Sequence, residues 1–140
     1  MILGFNMNKE KGFTLIELLV VLVLISLLAG LVGPSLFNKI GSSKTKVAEA
    51  QLELLTSALN TYRLDIGTYP TTEQGIGALM TAPQGQANWD GPYLAKDVPQ
   101  DPWGRDYHYE LKDNHDMAVY TLGRDNQKGG EGEDQDVGRF

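Results

Sequence analysis

Two groups of residues in this chain of 140 have types and spacings that could do chemistry. The first is a run of five carboxylates, Asp125, Glu131, Glu133, Asp134 and Asp136, interleaved with Gly129, Gly130 and Gly132. Hard oxygen donors on a backbone able to turn tightly suit Ca²⁺, which takes six to eight oxygens and accepts carbonyls among them. The spacing is not that of an EF-hand, because Gln127 and Gly129 stand where that loop uses Asp or Asn, and Asp136 where it uses Glu. A solvated acidic tail is the competing reading of the same composition. The second group is Glu17, alone near the start of an apolar run. A carboxylate at the centre of a membrane helix costs about 2.5–3.5 kcal/mol on insertion scales, so it calls for a partner or a function. A plain acid favouring the helix dipole is the simpler alternative.

Other chemistry is scarce. The sequence has no cysteine, which removes disulfides, thiolate metal sites and a cysteine nucleophile. Only His108 and His115 could act as general bases near neutrality, and no nucleophile elbow, phosphate loop or His-x-x-x-His pair accompanies them. A non-enzymatic protein is expected. The formal net charge of −6 argues against binding a phosphate backbone, so no nucleic acid is expected as a partner.

The elements that must position these residues divide sharply in composition. Between Phe13 and Phe37, 18 of 25 residues are apolar, against 35 of 103 from Asn38 onward, and the whole net charge lies beyond Phe37. Leu18 to Gly33 carries no charged residue, and a helix over 13–37 would extend about 38 Å, enough to cross a hydrocarbon core of about 30 Å. A signal peptide cut around Ala29–Gly33 is the rival reading of this segment. Pro34 removes one helix hydrogen bond and can bend the axis. Farther on, Ala48, Leu52, Leu55, Leu59, Tyr62 and Ile66 recur at alternating spacings of four and three, one face of an α-helix that Gly67 should stop. The two stretches together predict one long helical stem over 13–66. Thr71-Thr72-Glu73-Gln74 has the pattern of a capping box opening a short helix through Met80. Residues 81–99 read as a loop pinned by Trp89, Tyr93 and Leu94, and Asp101-Pro102-Trp103-Gly104 as a turn. Tyr107–Leu111 and Met117–Leu122, around a polar turn, predict a hairpin that must pack on the stem.

The stretch Lys11-Gly12-Phe13-Thr14-Leu15-Ile16-Glu17 closely resembles the type III leader of type IV pilins and pseudopilins. The resemblance implies a leader over 1–12, cleavage between Gly12 and Phe13 by a prepilin peptidase that methylates the new Phe13 amine, and an assembly role for Glu17. It also makes Met7 a plausible start in place of Met1. Tyr69-Pro70-Thr71-Thr72-Glu73-Gln74-Gly75, Gly91-Pro92-Tyr93-Leu94, Asp101-Pro102-Trp103-Gly104 and Tyr120-Thr121-Leu122-Gly123-Arg124-Asp125 narrow the likeness to the major pseudopilins of type II secretion systems. A type IV major pilin or a minor pseudopilin is the alternative.

That family implies an α+β, type IV pilin-like fold: a long N-terminal helix packed on a small C-terminal domain with a short helix, a hairpin and a calcium loop. It divides the chain into a leader at 1–12, a transmembrane and filament-core helix at 13–37, and a periplasmic domain at 38–140. One structural Ca²⁺ is expected on the Leu122 carbonyl, Asp125, Asp134 and Asp136. The implied partners are further copies in a helical pseudopilus, prepilin peptidase, an inner-membrane assembly platform, minor pseudopilins and an outer-membrane secretin. The N-terminus is expected in the cytoplasm and the domain in the periplasm; lysines on both flanks of the apolar run do not by themselves fix this.

Overall fold

The computed structural model describes Gly4, residues 10–113 and residues 115–140. Met1, Met7 and Lys9, which bear on the start and the leader, lie outside the described residues, as does Asn114. The chain divides into two compact units, Met1–Asn38 and Lys39–Phe140. A single helix, α1 (Leu15–Ile66), contributes to both and passes through Pro34 without interruption.

In the first unit every apolar side chain from Leu15 to Leu28 faces solvent, and none of the most apolar 18-residue window is buried, at a mean hydropathy of 3.0. Such a surface is stable only against lipid or other protein. Within it Ser26 Oγ donates to the Leu22 carbonyl at 2.7 Å, so this hydroxyl is satisfied by the helix itself.

The second unit is built on the amphipathic face of α1. Ala48, Leu52, Leu55, Leu59 and Tyr62 are buried as their spacing predicts, joined by Ala58, while Ile66 packs at the edge of the core. The helix ends as expected at Gly67, whose φ of 97° needs no Cβ and whose N–H donates to the Arg63 carbonyl at 2.8 Å. Leu94 is buried in the same core; Trp89 Nε1–H donates to the Ala78 carbonyl at 2.8 Å, and Tyr93 sets its ring edge-on to Tyr62. These are the loop pins the sequence suggested.

Three expectations are corrected in detail. The reciprocal bonds of the capping box form, with Thr71 N–H donating to Gln74 Oε1 and Gln74 N–H to Thr71 Oγ1. They close an isolated turn, however, because Gly75 follows at a φ of 63°, and only a 3₁₀ helix, Ile76–Leu79, comes after it. The hairpin strands are β1 (His108–Asp113) and β2 (Asp116–Thr121), paired antiparallel with an irregularity between Leu111 and Asp113, so the turn is shorter than the polar run suggested. A third strand, β3 (Val137–Arg139), has no signal in the local sequence; it pairs antiparallel with β2, matching Thr121 to Val137 and Tyr120 to Gly138. β3 ties the far end of the acidic loop to the sheet, so the loop is anchored at both ends. Two tyrosines fasten the hairpin elsewhere: Tyr107 OH donates to Gln51 Oε1 and Tyr109 OH to the Pro70 carbonyl, and burial raises both phenol pKa values.

Candidate functional site

At the base of α1, Thr14 N–H donates to Glu17 Oε2 at 3.1 Å and Glu17 N–H donates to Thr14 Oγ1 at 3.2 Å. This reciprocal box satisfies two donors that a helix start leaves unpaired. It also holds the Glu17 carboxylate one residue from Phe13, the position where cleavage would place an α-amino group. Phe13 is 84% exposed and Gly12 is exposed as well.

The acidic loop is positioned from outside itself. Asp101 is buried, and its Oδ1 accepts the Trp103 and Arg105 N–H groups at 3.0 and 2.9 Å, while Oδ2 accepts the Thr121 hydroxyl at 2.6 Å. A buried carboxylate with three donors is a rigid hub. From that hub two side chains reach the loop: Trp103 Nε1–H donates to Glu133 Oε1 at 3.0 Å, and the Arg105 guanidinium donates to the Gly123 and Arg124 carbonyls at 2.8 and 2.9 Å. Glu133 also lies against α1 at Gly41, where a Cβ would come within 2.7 Å of its Oε2. Gly123 is required too: at a φ of 74° a Cβ would meet the Gln135 carbonyl at 2.7 Å.

Within the loop the predicted residues do different things. Asp125 Oδ1 accepts Gln127 N–H at 3.1 Å, closing a local turn, and Asp136 Oδ2 accepts Gly129 N–H at 2.9 Å. Asp136 Oδ1 is buried and finds no hydrogen-bond partner among the described residues, and Asp136 shares with Leu122, Lys112 and Lys128 the lining of a cavity of about 290 Å³. Asp134 behaves otherwise. Its two oxygens take the Arg124 fork, Nε at 2.8 Å and Nη2 at 2.9 Å, and Arg124 Nη1 reaches Glu133 Oε2 at 3.3 Å. The hydrogen bonding that Arg124 donates to Asp134 is the main cause that raises the Arg124 pKa, with the charges of Glu133 and Asp125 adding to it.

The donor chemistry fits a hard divalent cation, since Asp136 carries an orphaned carboxylate oxygen that a cation would satisfy. Among the described residues no three acidic or histidine side chains already converge, so an ion here would draw on backbone carbonyls as well. Glu133 belongs to the carboxylate run evident in the sequence, whereas nothing in the local pattern marks Arg124, Trp103 or Arg105 as site residues. The Asp-Pro-Trp-Gly element that contains Trp103 reads locally only as a turn.

Comparison with known proteins agrees over nearly the whole chain. A family model described as type II secretion system (T2SS), protein G matches residues 35–140, and a prokaryotic N-terminal methylation motif matches residues 7–33. The type II secretion system core protein G of Vibrio cholerae is 41% identical over 139 residues, covering 96% of this chain and 94% of that protein. Its counterpart in Pseudomonas aeruginosa is 38% identical, covering 95% and 96%. The crystal structure of the major pseudopilin from the type 2 secretion system of enterohaemorrhagic Escherichia coli superposes with a TM-score of 0.59 at 32% identity, covering 74% of this chain and 92% of that one. An exposed apolar helix headed by a methylation motif, joined to this α+β unit and matched at these identities, places the chain in the type II secretion system protein G family of structural pseudopilins.

Proposed function

We propose that the chain is stored in the bacterial inner membrane as a single-pass precursor with its N-terminus cytoplasmic and its domain periplasmic. Prepilin peptidase cuts between Gly12 and Phe13 and methylates the new amine. An assembly platform then adds the subunit to a helical periplasmic fibre, begun by minor pseudopilins, which drives folded proteins through an outer-membrane secretin. The chain contributes structure rather than catalysis, and its partners supply the energy.

The observation that carries this reading is the Thr14–Glu17 box under a fully exposed apolar helix. Among the described residues of the lone subunit, the partner of the Glu17 carboxylate is the neutral Thr14 N–H. In the fibre the ammonium of a neighbouring Phe13 is a stronger partner, because charge attraction grows as water is excluded. Exchanging the local bond for the intersubunit pair sets the axial register while the apolar faces pack.

In the acidic loop the same reading takes one structural Ca²⁺, held by the Leu122 carbonyl, Asp125 and Asp136. Asp134, engaged by Arg124, leaves the expected ligand set. The ion would close a segment whose carboxylates otherwise repel one another.

Gly12→Val tests the processing step. The variant should accumulate as uncut precursor in the membrane, with sheared fibre reduced to background on immunoblots. Normal fibre carrying the leader would contradict the proposal.

A further inference from the structure

We infer that Arg124 is a resident cation of the acidic loop, pairing with Glu133 and Asp134 so that this part of the loop is closed before any metal arrives, and that it opposes Ca²⁺ electrostatically. The second half of this statement rests on reading the loop as a calcium site; the first does not.

The geometry divides the five loop carboxylates. Asp134 receives both arms of a planar fork, the arrangement in which guanidinium–carboxylate pairs are strongest, and Glu133 receives a third N–H. The backbone reinforces the pairing, for Arg124 N–H donates to the Glu133 carbonyl at 3.0 Å. Both ends of this latch are fixed by rigid neighbours: Arg105 holds the Arg124 carbonyl, and Trp103 and the bare Gly41 surface hold Glu133. Among the described residues Asp125, Glu131 and Asp136 form no ion pair, and Asp136 Oδ1 accepts no hydrogen bond.

Two cations within one short loop repel each other, so each lowers the affinity of the loop for the other, and by linkage the effect is reciprocal. Arg124 therefore lowers the calcium requirement of the fold at the expense of calcium affinity. Removing it should expose both effects together.

The test uses the full chain solubilised in detergent, with the melting temperature recorded in chelator and in saturating CaCl₂, and Ca²⁺ affinity measured by calorimetry. Arg124→Ala should lower the melting temperature in chelator by about 2–5 °C, the range set by an exposed bidentate pair in a unit of this size. It should also tighten Ca²⁺ binding about fivefold, the low end of ordinary coupling between sites. Arg124→Lys keeps the charge without the fork, so it should lose part of the chelator stability and leave the affinity unchanged. Asp134→Asn should match Arg124→Ala in chelator, add nothing to it in the double variant, and keep most of the calcium-induced rise.

Loss of that rise in Asp134→Asn would make Asp134 a ligand and overturn the assignment. Arg124→Ala with unchanged stability and affinity, against an intact calcium response, would overturn the role of Arg124 alone. A natural chain indifferent to Ca²⁺ overturns the antagonism along with the calcium reading. In that case a non-additive loss in chelator still supports the resident pair, and an additive one removes it.

Discussion

Glu17→Gln should be cut and methylated at the normal rate and yet fail to grow fibre. Glutamine can keep the Thr14 N–H bond through its carbonyl oxygen, so the start of α1 survives, and losing a charge makes membrane insertion easier rather than harder. What disappears is the partner for the neighbouring Phe13 ammonium. Leaving one charge of a desolvated pair without its counterpart costs about 3–5 kcal/mol, which corresponds to roughly two orders of magnitude or more in the equilibrium for adding a subunit. The measurement is the ratio of sheared fibre to membrane-bound mature subunit on one immunoblot. A near-natural ratio would show that Glu17 serves only as a cap.

The second large effect belongs to the loop. In excess calcium Asp125→Ala should melt close to the temperature that the natural chain shows in chelator. An ion present at a hundred times its dissociation constant stabilises a fold by about 2.7 kcal/mol, which in a unit of about 100 residues is roughly 10 °C. Asp125 is exposed and closes a local turn by accepting the Gln127 N–H, so the variant should differ little from the natural chain once calcium is removed. Thermal scans of both proteins, with and without chelator, decide the matter. An undiminished calcium-dependent shift in the variant would remove Asp125 from the ligand set.

The features legible in the sequence are those with a strong local cause. The alternating spacing along α1 could bury only one face, and the stop at Gly67 needed only a positive φ. The hairpin is legible in its β-rich runs, although its turn is shorter than the polar residues suggest because Lys112 and Asp113 extend β1 despite their polarity. The features that escaped depend on distant partners. β3 is three residues long, contains Gly138 and follows an acidic stretch, so nothing local marks Val137–Arg139 as a strand; pairing with Tyr120 and Thr121 makes it one. The acidic loop shows the same limit. Five carboxylates in a row suggest a cation, but whether Asp134 faces a metal or Arg124 depends on the hub at Asp101 and the anchors at Trp103 and Arg105. The Thr71 box illustrates a third case, in which the capping bonds are right and the next residue, Gly75, prevents the helix they usually begin.

Everything proposed for assembly depends on an α-amino group at Phe13, so intact-mass and N-terminal peptide mass spectrometry of the membrane-derived protein is the most direct test. The account predicts a mature chain that begins with N-methylated Phe13. A chain retaining its leader through Gly12, or one cut after Gly30, would contradict it.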